Sequence, residues 1–209
     1  MSIRGNMLIA QSGGPTAAIN ASLAGAVKQA MECPEIEQIY GAKNGVEGIL
    51  RENIIDLRTL LRSEEDFARL RATPAMALGS CRKRLAEQPD REYDALREIL
   101  LRRNIRYFFY IGGNDSMDAV KKLSAYFKSL GDEIRVIGIP KTIDNDMACT
   151  DHTPGFGSAA RYIATSMAPV TALFTPPIPL RWWRSWGETP AGSPPPPLWP
   201  GGPAARLPS

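Results

Sequence analysis

The amino-acid sequence predicts an α/β fold: a Rossmann-like parallel sheet with helices on both faces, arranged in three layers. Short apolar runs alternate with segments whose apolar residues recur at helical spacing, and this strand–helix order is typical of parallel sheets. Two of the apolar runs end in paired glycines, and a third ends in a dense polar cluster. We therefore expect functional groups at the carboxyl ends of the strands, where open parallel sheets bind ligands.

Each predicted element follows from its local pattern. The apolar run at 7–10 leads into a Ser-Gly-Gly turn, and residues 16–32 then place their apolar side chains on one helical face. Gly131 closes the helix at 115–130, and Pro140 stops the strand at 135–139. The predicted strands are 7–10, 38–42, 107–111 and 135–139, and the predicted helices are 16–32, 64–71, 91–103 and 115–130.

Composition excludes several classes of protein. The chain has 209 residues, a net charge of +3 and no run of more than three Lys or Arg, so it lacks the basic footprint of a nucleic-acid partner. No apolar stretch reaches the roughly 20 residues that span a bilayer, and the N-terminus is unlike a secretory signal. The three widely spaced cysteines fit neither a disulfide framework nor a zinc site. We expect a cytoplasmic protein without membrane or nucleic-acid partners.

Two glycine motifs follow predicted strands. Residues 11–16 read QSGGPT, and residues 111–117 read IGGNDSM. Glycines at such positions let backbone N–H groups approach a phosphate, and the following helix start adds a favourable dipole. Either motif alone could be a tight turn, or a helix cap made by Asp115 or Ser116. Together, at equivalent strand ends, they favour a phosphate site.

A third motif, PKTIDND at residues 140–146, also follows a strand. It combines two carboxylates, an amide, a hydroxyl and a lysine, which is far more polar functionality than a turn requires. One carboxylate could accept the proton of an attacking hydroxyl in phosphoryl transfer. Another could help to hold Mg²⁺, which prefers oxygen ligands. A solvated turn is the alternative interpretation.

These motifs together resemble the phosphofructokinase family. The resemblance rests on GGNDSM and PKTIDND, preceded by QSGGPTAAINASLAG and followed by TPGFGSAARYIATSM, and it covers residues 5–168. The segment LGSCRKRL, residues 78–85, is similar to the family's segment that touches the phosphate donor. The resemblance implies transfer of a phosphoryl group to the 1-hydroxyl of fructose 6-phosphate in glycolysis, with Mg²⁺, by a protein that is a homo-oligomer when full length.

The resemblance also implies roles on the acceptor side. Asp144 matches the family's catalytic base, and Thr142 and Ile143 match its contacts to the sugar phosphate. Asn114 matches a magnesium-site position that is Asp in many relatives. Asp146 is the second residue expected at the metal.

On the donor side, two residues indicate inorganic diphosphate rather than ATP. Relatives that use ATP usually carry Gly at the position of Asp115, which leaves space for an α-phosphate that a carboxylate would fill and repel. Relatives that use diphosphate commonly have Asp there and Lys at the position of Lys141, where an ammonium can neutralise charge on the transferred and leaving phosphates. We therefore expect both residues to act in catalysis. The resemblance places four further residues at the diphosphate: Gly13, Arg82, Gly113 and Ser116.

The end of the chain has a different composition. Twelve of the eighteen prolines and all four tryptophans lie between residues 169 and 209. We expect a donor-phosphate-binding domain at 1–168, followed by a Pro/Gly/Trp-rich tail at 169–209 that is disordered or a polyproline ligand. A shifted reading frame is a third interpretation and the one we favour. G/C-rich codons for Arg181–Pro194, read two bases in, spell VVEVMGRNAGWLT, the continuation that the family has.

Three alternatives remain at the level of sequence. The first is an ATP-dependent phosphofructokinase. The second is a non-catalytic phosphate-binding fragment, because the family's second domain, which carries most sugar-phosphate contacts, is not visible in the sequence. The third is a Pro-rich interaction protein whose tail binds a polyproline-reading domain.

Overall fold

The computed structural model describes residues 3–173, with the environment of side chains described as far as residue 168. The chain divides into two units, Met1–Thr165 and Ser166–Ser209. The first unit contains the sheet, and the described part of the second is helical. The Pro- and Trp-rich sequence from residue 174 onward lies outside the described residues. The expected disorder of the tail, the shifted frame and the boundary at 168 therefore stay predictions.

The first unit alternates strands and helices as its sequence pattern predicts. The strands are β1 (Gly5–Gln11), β2 (Ile36–Ala42), β3 (Ile54–Asp56), β4 (Ile105–Gly112) and β5 (Arg135–Pro140). The helices are α1 (Ile19–Glu32), α2 (Gly45–Leu50), α3 (Leu57–Leu60), α4 (Glu64–Ala72), α5 (Arg91–Arg102), α6 (Asn114–Ser129) and α7 (Phe156–Leu173). Within the described range, no helix is both long and apolar enough to cross a membrane.

The five strands form one sheet in the order β3-β2-β1-β4-β5. Strand β1 lies between β2 and β4 and runs parallel to both, and β5 runs parallel to β4. The chain thus moves outward from β1 to β2 and later returns to the other side of β1 as β4. Open α/β sheets bind ligands beyond the carboxyl ends of the strands at such a reversal, which here is the β1–β4 boundary.

Two layers of helices cover the sheet, because the side chains of each strand alternate between its faces. Met7 and Ile9 of β1 pack with α1, α3 and α4 in one core. Leu8 and Ala10 pack with α2, α5 and α6 in the other. The three-layer α/β prediction is confirmed.

The structure corrects the prediction in three places. The sheet is not wholly parallel, because β3, a strand that was not predicted, pairs antiparallel with β2. A parallel pair needs a crossover of a dozen or more residues, and the connection at residues 43–53 falls just short of that length. Helix α1 begins at Ile19 rather than at residue 16. The helices α2, α3 and α7 were not predicted: α3 has 4 residues, and α2 contains two glycines, which are poor helix formers.

Candidate active site

The three polar motifs meet at one edge of the sheet. Gly13 follows β1, Gly113 follows β4, and Lys141 follows β5. A Cβ atom added to Gly13 would lie 3.0 Å from the Lys141 Nζ and 3.7 Å from the Gly113 backbone nitrogen. Gly13 also has φ of +79°, a conformation that L side chains rarely adopt. Glycine at position 13 is therefore required both by the turn and by the close approach of the lysine.

Short hydrogen bonds join the ends of these strands. The Ser12 N–H donates to the Ile111 carbonyl at 2.9 Å, and the Lys141 N–H donates to the Gly112 carbonyl at 2.9 Å. The hydroxyls of Ser12 and Ser116 lie 2.5 Å apart. A Cβ atom on Gly112 would lie 2.0 Å from the Ser116 Oγ, so the paired hydroxyls depend on glycine at position 112.

Lys141 brings a positive charge to this edge of the sheet. Its residue is 3% exposed, and its Nζ donates to the Gly14 carbonyl at 2.7 Å. Burial lowers the pKa of the Lys141 ammonium, and the nearby Asp144 carboxylate opposes that shift. A largely desolvated cation in contact with a glycine turn is the kind of group that stabilises charge on phosphate oxygens.

A cavity of about 330 Å³ opens beside the two glycine motifs. Four residues predicted at the donor phosphates line it: Gly13, Arg82, Asp115 and Ser116. The remaining lining residues are Ser12, Gly14, Cys81, Lys83, Arg84, Tyr110 and Ala119. The lining includes three cations (Arg82, Lys83 and Arg84) and the hydroxyls of Ser12, Ser116 and Tyr110, beside a single carboxylate, Asp115, so the cavity suits a small polyanion.

The cavity's basic wall, residues 81–84, is positioned by buried polar side chains that sequence reasoning passed over. The Gln11 Oε1 accepts a hydrogen bond from the Leu78 N–H at 2.9 Å, and the Asn20 Oδ1 accepts one from the Ala77 N–H at 3.0 Å. The Gly13 N–H then donates to the Cys81 carbonyl at 3.2 Å. Gln11 and Asn20 are fully buried, and polar residues inside otherwise apolar patterns were the only sequence signal of this role.

Three consecutive cations on that wall differ in their partners. The Lys83 Nζ lies 2.5 Å from a carboxylate oxygen of Glu92, and the Arg84 Nη2 lies 3.1 Å from the Asp115 Oδ1. Arg82 is exposed and makes no ion pair within the described part of the chain. Its guanidinium is therefore available to an anion in the cavity.

Tyr110 forms part of the cavity wall and is itself buried. Burial raises the pKa of its hydroxyl, and the neighbouring Cys81 adds to the shift while a hydrogen bond with Ser12 opposes it. The Tyr110 hydroxyl lies 3.7 Å from the Cys81 Sγ. The hydroxyl therefore stays neutral at any physiological pH.

The predicted acceptor-side residues follow Lys141 in the chain, and neither they nor Lys141 and Gly113 are among the residues that line the cavity. The buried Thr142 donates from Oγ1 to the Asp144 Oδ2 at 3.2 Å and accepts at Oγ1 from the Asp144 N–H at 3.1 Å. Asp144 is exposed, and the Ile143 residue is 49% exposed. The carboxylate is thus oriented by the turn but open to an incoming hydroxyl.

The two predicted metal ligands contact each other. The Asn114 Nδ2 donates to the Asp146 Oδ2 at 2.7 Å, and both residues are exposed. Among residues 3–173 there is no group of three or more His, Cys, Asp or Glu side chains that could hold a metal. One carboxylate and one amide fit Mg²⁺ only if phosphate oxygens and waters supply its other ligands, which is the usual arrangement for Mg²⁺ at phosphoryl-transfer sites.

Comparison with known proteins identifies the class. The phosphofructokinase family model matches residues 6–172, and the chain belongs to the phosphofructokinase family. The glycine turns, the PKTIDND turn and all of the sheet except Gly5 lie inside the matched residues.

Two similar relatives carry the same name. The pyrophosphate–fructose 6-phosphate 1-phosphotransferase of Xanthomonas campestris pv. campestris (strain B100) is 48% identical over 165 residues, which are 78% of this chain and 38% of the relative. The same-named protein of Rhodospirillum rubrum is 44% identical over 168 residues, 80% of this chain and 40% of the relative. The chain thus spans about two fifths of the length of these curated relatives.

A solved structure agrees with them. The pyrophosphate-dependent phosphofructokinase from Nitrosospira multiformis matches with a TM-score of 0.75 and 44% identity, over 80% of this chain and 41% of that one. More distant relatives differ in name: a sulfofructose kinase of Alkalicoccus urumqiensis is 40% identical, and an ATP-dependent 6-phosphofructokinase of Amycolatopsis methanolica is 31% identical.

Proposed function

We propose that this chain provides the donor-phosphate side of an enzyme that transfers a phosphoryl group from inorganic diphosphate to the 1-hydroxyl of fructose 6-phosphate, giving fructose 1,6-bisphosphate. The observation that carries the proposal is the buried Lys141 ammonium, 2.7 Å from the Gly14 carbonyl. It contacts a glycine of the cavity wall and directly precedes the turn that presents Asp144. The names of the relatives at 44–48% identity support diphosphate as the donor.

In the proposed reaction, diphosphate binds against Gly13, Gly113 and Ser116, with Arg82 as its cation. The sugar's O1 attacks the nearer phosphorus. A new O1–P bond forms, the bridging P–O bond breaks, and inorganic phosphate leaves with the bond's electron pair. The O1 proton passes to the Asp144 carboxylate, which acts as general base.

Lys141 contributes most where charge is greatest. In the transition state negative charge is spread over the transferred group and the leaving phosphate. The ammonium is already desolvated and already oriented by Gly14, so it needs no reorganisation as the charge develops. Thr142 and Ile143 would contact the sugar phosphate, and Thr142 also holds Asp144 in place.

Mg²⁺ belongs to this proposal as a substrate-shared ion. Asn114 and Asp146 would hold it together with phosphate oxygens, and the bound ion would neutralise phosphate charge. A cytoplasmic location, a homo-oligomeric full-length protein and a domain that ends at residue 168 remain parts of the same proposal.

Donor specificity tests the proposal most directly. In a chain completed to the length of its curated relatives, kcat/KM is measured for diphosphate and for ATP at fixed free Mg²⁺. The variants are the unmodified protein, Asp115→Gly, Lys141→Gly and the double variant. We expect the unmodified protein to prefer diphosphate. Lys141→Gly should weaken diphosphate binding and lower kcat with diphosphate by still more, because its charge contributes to binding and matters most in the transition state.

Asp115→Gly should open space for an α-phosphate but build no adenine site, so ATP use should stay poor. The double variant should weaken diphosphate use and admit some ATP. Glu98→Gly is the matched control, since Glu98 is an exposed carboxylate of α5 and does not line the cavity. A preference of the unmodified protein for ATP would reject diphosphate as the donor. Diphosphate binding without turnover in the completed protein would instead support a non-catalytic phosphate-binding role.

A further inference from the structure

The ion pair between Arg84 and Asp115 lies on the wall of the donor cavity. The Arg84 Nη2 is 3.1 Å from the Asp115 Oδ1, and the side chains are 77% and 65% exposed. Exposed pairs of this kind contribute little to folding. Both residues line the cavity, so the pair's effect falls on whatever binds there.

Asp115 is a difficult residue for an anion-binding cavity. It stands in the first turn of α6, where the helix dipole favours negative charge and where a bound phosphate would otherwise be stabilised. An unpaired carboxylate at that point would repel every phosphate donor, diphosphate included. If Asp115 excludes ATP by its volume, its charge must therefore be neutralised for diphosphate to bind.

We propose that Arg84 is a specificity-determining residue that screens the Asp115 carboxylate. The guanidinium turns a bare negative charge into a close ion pair, whose field falls off faster with distance than that of a single charge. Asp115 then limits the length of the donor while its charge no longer opposes diphosphate. This inference rests on the proposed function, because diphosphate is the anion that the screen serves.

The neighbouring cations do not perform this task. Lys83 is paired with Glu92 at 2.5 Å, and Arg82 makes no ion pair in the described part of the chain, so it is left for the donor itself. Arg84 is also not needed to hold its segment in place. Lys122 of α6 holds that segment instead: its Nζ donates to the Glu87 carboxylate at 2.7 Å and to the Leu85 carbonyl at 3.5 Å.

A double-mutant cycle on the 209-residue chain tests the screen. Titration calorimetry with inorganic diphosphate gives the Kd of the unmodified chain, Arg84→Gln, Asp115→Asn and the double variant. We expect Arg84→Gln to weaken diphosphate binding roughly tenfold, because it leaves the Asp115 carboxylate without a neutralising partner. In the Asp115→Asn background the same change should weaken binding less than about twofold. Arg84→Lys should bind nearly as well as the unmodified chain, since an ammonium also neutralises Asp115.

A matched control is Arg69→Gln, which breaks an exposed ion pair with Glu65 at 3.0 Å on α4, outside the cavity; its Kd should not change. Equal weakening by Arg84→Gln in both Asp115 backgrounds would overturn the screen and make Arg84 a direct ligand. An unchanged Kd in Arg84→Gln, or no diphosphate binding by the unmodified chain, would overturn it as well. Turnover of diphosphate by the completed protein, with equal Arg84 effects in both backgrounds, would reject the screen and leave the proposed function standing.

Discussion

Replacing Lys141 with methionine tests whether Lys141 serves diphosphate binding or the stability of the fold. Methionine has a similar length and flexibility but no charge. Lys141 is 3% exposed, and its ammonium donates a hydrogen bond to the Gly14 carbonyl at 2.7 Å. Its hydrogen-bond partner is a carbonyl of the exposed Gly14 and not a buried charge, so removal of the ammonium leaves no uncompensated buried charge. We therefore expect the free energy of unfolding of Lys141→Met to stay within about 1 kcal/mol of the unmodified chain, or to rise.

Diphosphate binding should change much more. A hydrogen bond to a charged group contributes roughly 1.5–3 kcal/mol, and every 1.4 kcal/mol is about tenfold in Kd. Lys141→Met should therefore weaken diphosphate binding about 10- to 150-fold, measured by titration calorimetry. The exposed Lys128→Met on α6 is the control and should leave both quantities unchanged.

The pH dependence of stability gives a second measurement. Burial lowers the pKa of Lys141 in the folded chain, whereas the unfolded value is near 10.4. Between those two values the unfolded chain binds more protons, so this residue's contribution to stability rises with pH and is lost as pH falls. Lys141→Met should lack that rise. A marked loss of stability with unchanged diphosphate affinity would show that Lys141 only ties β5 to the first glycine turn.

Three further predictions concern single residues. In the completed protein, Asp144→Asn should lower kcat by roughly 10²–10⁴ with little change in diphosphate Kd, because an amide cannot take the hydroxyl proton; near-normal turnover would remove Asp144 from the base role. Gly13→Ala should lower the melting temperature by about 2–4 °C per kcal/mol of strain and weaken diphosphate binding, since φ is +79° and the new Cβ would lie 3.0 Å from the Lys141 Nζ. Gly14→Ala, whose Cβ would meet no atom within 4 Å, is its control, and equal effects of the two changes would contradict the geometry. Burial raises the pKa of Tyr110 in the folded chain, so the stability that its protonated hydroxyl contributes is lost as pH rises above the unfolded pKa of about 10. Tyr110→Phe lacks this group and should therefore lose less stability than the unmodified chain above about pH 10. Parallel curves of stability against pH for the two proteins would contradict this.

Local patterns in the sequence were enough to predict the elements that form the sheet's centre. Strand β1 alternates its side chains between two buried faces, and the strand–glycine–helix order repeats at β4 and α6. These signals are short-range, since each depends on a few neighbouring residues. For the same reason the sequence located the glycine turns and the PKTIDND turn, and their placement after strands predicted that they would meet.

Only the tertiary structure decided how those turns are arranged around Lys141. The order β3-β2-β1-β4-β5 brings the ends of β1, β4 and β5 together, and this order depends on contacts between residues far apart in sequence. The same long-range packing pairs Arg84 with Asp115. It also brings the Leu78 N–H to the buried Gln11 side chain, which accepts its hydrogen bond. It also separates Asp144 from the donor cavity that Gly13 lines. A sequence pattern reports which groups are present near a strand end, whereas their distances, partners and burial are set by chain segments that the pattern does not include.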